Sequence, residues 1–181
     1  MITLVRHGET EWSASGKHTS HTDLELTERG TAAARALQLG SFALVLASPR
    51  RRASETARLA GYEPEIEPDL VELDYGPYEG RTTKEIREQQ PGWSVWNDPG
   101  GETLAEAGAR ADRVLARCEQ VDGDVALFAH GHILRILGAR WLELGPEHGA
   151  NFKLATASLS ELGYEREIRA LDYWNSASSG A

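Results

Sequence analysis

The sequence predicts an α/β fold, a three-layer α/β/α sandwich around a mostly parallel sheet with an antiparallel edge. Three observations carry that expectation. Three short apolar runs, Ile2 to Val5, Ala43 to Ala47 and Val125 to Ala129, each have the length and composition of a buried strand. Each is followed by a segment with helical signals. The chain then closes on two strand-like segments, Phe152 to Leu162 and Tyr164 to Leu171, joined through Gly163 as a hairpin that would supply the antiparallel edge.

The helices follow in order. Thr27 to Leu39 has Thr27 as N-cap and Gly40 just past its end. Ser48-Pro49 offers an N-cap and a first-turn proline, so a helix should run from there to about Ala60. Glu102 to Val121 is a long helix with Leu104, Ala107, Ala111, Leu115 and Cys118 on one face. Cys118 on that stripe reads as core rather than as a reactive thiol. Ile133 to Leu144 is the last helix. Residues 1–175 read as a single domain, and the small polar tail Ser176 to Ala181 is expected to fray.

Composition limits the function classes. The 181 residues carry a net charge of −9, against the basic balance of a nucleic-acid binder. One cysteine excludes a disulfide framework within the monomer. The start, MITLVRHGET, lacks the basic region and longer apolar run of a signal peptide, and no stretch approaches the roughly 20 apolar residues of a membrane span. A cytoplasmic protein with no nucleic-acid or membrane partner is expected.

Each apolar run ends in ionisable residues: Arg6, His7 and Gly8 after the first, Ser48 and then Arg52 after the second, His130, Gly131 and His132 after the third. Ligands of open α/β sheets bind outside the carboxyl ends of the strands. If the three are parallel neighbours, these residues meet in one crevice suited to an anion. Other readings stand beside this one. A single histidine at a strand end is commonly structural. His130 and His132 form an H-x-H pair open to a metal, although no carboxylate or cysteine cluster accompanies it. Arg50 and Arg51 suit a solvated helix start.

At this point the chain resembles the histidine phosphatase superfamily, also called phosphoglycerate mutase-like. LVRHGET (Leu4 to Thr10), ASPRRRASETA (Ala47 to Ala57), LVELDYGPYEG (Leu70 to Gly80), GGET (Gly100 to Thr103) and FAHGHILR (Phe128 to Arg135) resemble its ordered blocks and span nearly the whole chain. The resemblance implies a phosphomonoesterase that needs neither metal nor cofactor. His7 would be the nucleophile that becomes phosphorylated. Arg6, Arg52 and His130 would clamp the phosphoryl oxygens. Glu72 would protonate the leaving group and then activate water; Asp74 and Glu79 lie close enough in sequence to be confused with it. Gly8 and Gly131 would let backbone approach the phosphate.

The segment Ser13 to Asp23 should line the substrate pocket, with Ser13, Thr19 and Ser20, together with Gly131 and His132, as substrate-binding residues and with His18 or His21 touching the rest of the substrate. Ser13 follows Trp12 where mutases of the family tend to carry asparagine. That departure, and the little material available to exclude water, favour hydrolysis over phosphate transfer between hydroxyls. The combination of blocks looks most like bacterial small-molecule acid phosphatases and fungal sugar bisphosphatases of the sedoheptulose type. The expected substrate is a small phosphorylated metabolite, a sugar phosphate before others. A mutase, a protein phosphatase and a non-catalytic phosphate-binding module are the alternatives, and a homodimer is a further expectation from the family.

Overall fold

The computed structural model describes residues 1–177. Six strands, β1 (Ile2–Arg6), β2 (Leu44–Ala47), β3 (Glu65–Ile66), β4 (Val125–Ala129), β5 (Ser158–Glu165) and β6 (Ile168–Ala177), form one sheet in the order β3-β2-β4-β1-β5-β6. The helices are α1 (Glu11–Ser15), α2 (Glu28–Arg35), α3 (Arg51–Leu59), α4 (Thr83–Gln89), α5 (Leu104–Glu119) and α6 (Gly131–Trp141). β1 to β4 pair in parallel, and β5 and β6 add the antiparallel side.

β4, VALFA, is buried at every position between β2 and β1, as a strand covered on both faces requires. On one face Leu4, Leu46 and Leu127 pack with Ala111 and Leu115 of α5 and Ile133 and Leu137 of α6. On the other, Val5, Ala47, Ala126 and Phe128 pack with Leu37, which follows α2, and Ala57 of α3. This is the α/β/α sandwich.

Register is what builds the site. Arg6 pairs with Ala129, and Ala47 with Phe128. The backbone N–H of His7 donates to Ala129 O at 2.9 Å, and that of Ser48 to Phe128 O at 3.0 Å. The carboxyl ends of three parallel strands are therefore level, and His7, Ser48 and His130 emerge along one edge.

Several element boundaries differ from expectation, each for a local reason. α2 stops at Arg35, short of Leu39, because Leu37 turns into the core. α3 starts at Arg51 with Arg50 as N-cap. The Ser48 hydroxyl is taken by the Arg50 N–H at 3.3 Å and by His130 at 2.8 Å, so it does not cap a helix begun at Pro49. α5 is capped one residue later than Glu102, by a reciprocal pair between Thr103 and Glu106. α6 begins at Gly131 rather than Ile133 and ends at Trp141 rather than Leu144.

The hairpin turns at Arg166, whose φ is 58°, and not at Gly163. Gly163 lies inside β5 opposite Ala170, where the Trp141 indole N–H reaches both carbonyls at 3.2 and 3.0 Å. Phe152 to Ala157 is not strand; Phe152 packs against Trp174 instead. Ser176 and Ala177, expected in a frayed tail, pair with Leu159 and Ser158 in β6, and the remainder of that tail lies outside the described residues. α1, α4 and the two-residue β3 were not anticipated; none has the apolar periodicity of the longer elements.

Candidate active site

His7 follows β1 directly and is 5 % exposed. Its Nδ1 lies 2.7 Å from Gly8 O. A carbonyl only accepts, so Nδ1 carries the proton and Nε2 holds a free lone pair. Burial, then the charges of Arg6 and Arg52, push the His7 imidazole down to about 3, so it is neutral near pH 7.

His130, fully buried at the N-cap of α6, stands beside it with ring centroids 5.2 Å apart. Arg52 Nε donates to His130 Nδ1 at 3.1 Å. That leaves Nε2 of the neutral ring as the donor to Ser48 Oγ at 2.8 Å. Burial first, then Arg52, holds His130 well below the usual histidine range.

Arg52 is fully buried without a carboxylate partner among the described residues. Its Nη1 donates to Thr22 O at 3.0 Å, and its Nη2 to Thr19 O at 3.2 Å and Ser20 O at 3.3 Å. The guanidinium thus ties the segment after α1 to the end of β4. Arg50 and Arg51 are not merely solvated: Arg50 meets His21 Nδ1 at 3.1 Å, and Arg51 pairs with Glu25 and Glu55.

Glu72 is 6 % exposed and reaches the N-terminus of α6. Its Oε2 accepts from the His132 N–H and its Oε1 from the Ile133 N–H, both at 3.0 Å, and Oε1 also accepts from Leu73 N–H at 3.0 Å. The first turn of a helix leaves these N–H groups without internal partners, and here a carboxylate from a loop satisfies them. Burial, the largest single influence, pushes the Glu72 carboxyl up, but the hydrogen bonds it accepts and the histidines beside it together outweigh burial and hold the group well below the usual carboxylate range.

The neighbouring acids have other duties. Glu79 accepts from the backbone of Ser20 and Thr22, and Asp74 accepts from Gly76 N–H and pairs with His21 at 3.2 Å. The Gly100 to Thr103 segment buttresses this region: Gly101 N–H donates to Asp74 O at 2.9 Å and Glu102 accepts from Asp74 N–H at 3.0 Å.

These residues surround a pocket of about 150 Å³. Of the residues expected at the site, Arg6, His7, Ser13, Thr19, Glu72, Gly131 and His132 line it. Arg52 and His130 are not among the residues on the wall. Ser20 is not on the wall either: it is 2 % exposed and its hydroxyl donates to Glu72 O at 3.3 Å. Ser13 is on the wall, but its hydroxyl serves Thr10, accepting from its N–H at 2.8 Å and donating to its carbonyl at 3.0 Å. His18 lines the pocket, and burial pushes it down to about 4; His21 lies outside, between Arg50 and Asp74.

Both glycines also have packing tasks. A Cβ on Gly8 would lie 2.6 Å from Gly30 O, so Gly8 lets two backbones touch. A Cβ on Gly131 would lie 3.3 Å from Arg6 Cζ, so Gly131 seats the Arg6 guanidinium. Arg6 bonds Leu154 O, while its buried Nε has no partner among the described residues.

Gly16 and Lys17 on the wall belong to the segment expected to line it, whereas sequence reasoning missed Tyr75, Arg135 and Leu154. Arg135 carried a signal, since it sits three residues after His132 and so on the same helical face. Tyr75, whose hydroxyl lies 2.6 Å from His132 Nδ1, had none. Among the described residues no group of three metal-ligating side chains converges, and no helix is long and apolar enough to cross a membrane.

Residues 2–177 match the histidine phosphatase superfamily, branch 1. The chain belongs to that superfamily. Within it, the chain is 43% identical over 181 residues to an acid phosphatase of Mycobacterium tuberculosis, covering 94% of this chain and 89% of the relative. It is 35% identical over 184 residues to the sedoheptulose 1,7-bisphosphatase of Saccharomyces cerevisiae, covering 78% and 67%. A solved Mycobacterium tuberculosis structure superposes with a TM-score of 0.91 at 36% identity over 98% of each chain. The phosphoglycerate mutase-like fold expected of the superfamily is thus the fold observed.

Proposed function

We propose that the chain hydrolyses phosphomonoesters of small metabolites, sugar phosphates among them, through a phosphohistidine on His7. The observation that carries this is the state of His7: a neutral ring, Nδ1–H held by Gly8 O, with Nε2 free on the wall of a pocket shared with an Arg6 whose buried Nε lacks a partner. A buried donor left unpaired is costly, and a phosphoryl oxygen would pair it. The names of the two relatives, an acid phosphatase and a sugar bisphosphatase, support the substrate class.

In this mechanism His7 Nε2 attacks phosphorus and the bond to the leaving oxygen breaks. Arg6 meets the charge on the equatorial oxygens, Arg52 contributes its charge and one uncommitted Nη1 hydrogen, and His130 Nε2–H passes from Ser48 to the phosphoryl group. His132 and the Ser13 and Thr19 hydroxyls contact the ester. Water then attacks the phosphohistidine and releases phosphate.

Glu72 moves the protons, and its ionised resting state fixes where they come from. A carboxylate below its usual range has no proton to give near pH 7. The proton enters with the substrate monoanion, passes to Glu72 on binding and goes on to the leaving alkoxide. The emptied carboxylate then takes a proton from the attacking water and returns it to the departing phosphate. His7 stays neutral above about 3 and Glu72 stays ionised at higher pH. Neither group explains a loss of activity between about pH 5 and 8. The fall of kcat/KM with rising pH should therefore follow the second ionisation of the substrate phosphate, about 6 for alkyl esters, and should shift when an ester with a different second pKa is used. A descending limb at one pH for all esters would count against this route.

The test of the whole proposal is rapid quenching with p-nitrophenyl phosphate in excess EDTA. An acid-labile, alkali-stable phosphoryl group on His7 is expected, with turnover indifferent to the chelator. Turnover with no trapped phosphoenzyme, or activity lost to EDTA and restored by a divalent cation, would overturn it.

A further inference from the structure

Glu72 has a competitor for protons on its own wall. His132 Nδ1 lies 3.8 Å from Glu72 Oε2, and both residues line the pocket. An ordinary imidazole keeps a proton to a pH roughly two units higher than an ordinary carboxylate does. A proton arriving with the substrate would go to His132 before Glu72 unless that nitrogen is closed to it. An imidazolium there would also pair with the carboxylate it faces and hold Glu72 idle.

Tyr75 closes the nitrogen. Its hydroxyl lies 2.6 Å from His132 Nδ1. The side chain is 1 % exposed, and the hydroxyl makes no other hydrogen bond among the described residues. Two arrangements suit a contact of that length. In one, Nδ1–H donates to the phenol oxygen; the buried phenol proton then needs a second acceptor, and Glu72 already serves three backbone N–H groups. In the other, the phenol donates to a bare Nδ1, which leaves neither group unpaired and puts the single proton of the ring on Nε2. Burial, then the charge of Glu72, pushes the Tyr75 hydroxyl well above the usual phenol range, so it keeps the proton it donates.

The other groups around His132 do not select the nitrogen. Glu72 favours a proton on Nδ1, while Arg6, Lys17 and Arg135 on the wall oppose a charged ring. His18, with its ring centroid 6.0 Å away, is neutral near pH 7 because burial pushes it down to about 4. Trp96, at 5.3 Å, carries no charge. Among the described residues only Tyr75 is hydrogen-bonded to Nδ1.

We propose that Tyr75 is a positioning residue that holds His132 as the neutral Nε2–H tautomer, and so leaves Glu72 as the group that takes and returns the proton. The role in proton transfer rests on the phosphatase reading above and deepens it; the tautomer can be read without turnover.

Nitrogen NMR of the imidazole rings, with His132→Gln assigning the His132 signals, reads that tautomer in the substrate-free protein. A protonated Nε2 and a bare, hydrogen-bonded Nδ1 are expected between about pH 5.5 and 8, the range in which an ordinary histidine titrates. In Tyr75→Phe the proton should be shared between the two nitrogens, and the ring should gain a second proton toward the acid end. A charged His132 paired with Glu72 is then present at low pH and lost as pH rises. The variant's kcat should therefore gain an ascending limb that the parent lacks, falling about tenfold or more at the acid end, part of what a general acid–base group contributes, with KM changed much less. Tyr75→Phe combined with His132→Gln should show no such limb, since no ring remains to titrate; a purely structural Tyr75 would harm both backgrounds alike and leave the shape of the profile unchanged. A proton on Nδ1 in the parent, or a Tyr75→Phe variant with the parent's tautomer and pH profile, overturns the inference and leaves the phosphatase reading intact. The parent spectrum decides the tautomer even if Tyr75→Phe does not fold. Failure of the parent to turn over p-nitrophenyl phosphate removes the phosphatase reading, and the role in proton transfer with it.

Discussion

His7→Ala should lower kcat/KM by about 10⁴-fold or more, the scale seen when a covalent nucleophile is removed from an enzyme that keeps its binding groups. The substitution deletes the only Nε2 that, among the described residues, the pocket presents with its partner nitrogen committed to a carbonyl. It leaves Arg6, Arg52 and Glu72 in place, because none of them depends on His7 for a hydrogen bond: Arg6 bonds Leu154 O, Arg52 bonds His130 and three carbonyls, and Glu72 bonds backbone N–H groups. Phosphate binding should therefore survive while turnover vanishes. Steady-state assays with p-nitrophenyl phosphate, paired with phosphate affinity by calorimetry, separate the two. Activity within tenfold of the parent would require a nucleophile other than His7.

Arg52→Met should be the most damaging change to both stability and activity. Methionine keeps much of the volume of this fully buried side chain and removes every donor. Four acceptors lose their partner: His130 Nδ1 and the carbonyls of Thr19, Ser20 and Thr22. Each buried acceptor left unpaired costs about 1–3 kcal/mol, partly offset because the buried charge itself is costly to desolvate. A net loss of about 3 kcal/mol is expected in urea unfolding. kcat/KM should fall by roughly 10³-fold, since one preorganised donor to a transition-state oxyanion is worth that much. A methionine variant as stable as the parent would mean that the segment from Thr19 to Thr22 is held by Glu79 alone.

Much of this site was legible because it sits where strands stop. The runs ITLV, ALVLA and VALFA announce buried strands by composition, and the polar residue after each apolar run marks the place where the backbone leaves the sheet. Parallel pairing then levels the ends without any further signal. The weak points were of two kinds. Helix and strand limits moved where one side chain had a tertiary task, as with Ser48 serving His130 and Gly163 serving Trp141. Substrate-side residues were harder still. Ser20 and Thr19 are neighbours in sequence, yet the Ser20 hydroxyl turns inward to Glu72 O while Thr19 lies on the wall with its hydroxyl donating to Lys17 O. The backbone there is held by Glu79, 57 and 59 residues away along the chain, which takes the Thr22 and Ser20 N–H groups. No local pattern encodes it. Glu72 was found by its sequence block, but its ionised state follows from the N-terminus of α6, which only the folded chain brings to it.

The same stitching decides how the enzyme would work in time. The segment between Ser13 and Asp23 has the length and position of a flap, but it is sewn to the body. His18 N–H donates to Arg81 O and accepts, through its carbonyl, from Gly80 N–H, at 2.9 and 2.8 Å, and Glu79 and Arg52 hold the residues after it. A wall fastened at so many points does not swing on the schedule of each catalytic cycle. On the proposed phosphatase reading, this segment is then a standing wall of the aperture and not a gate that must open on every cycle.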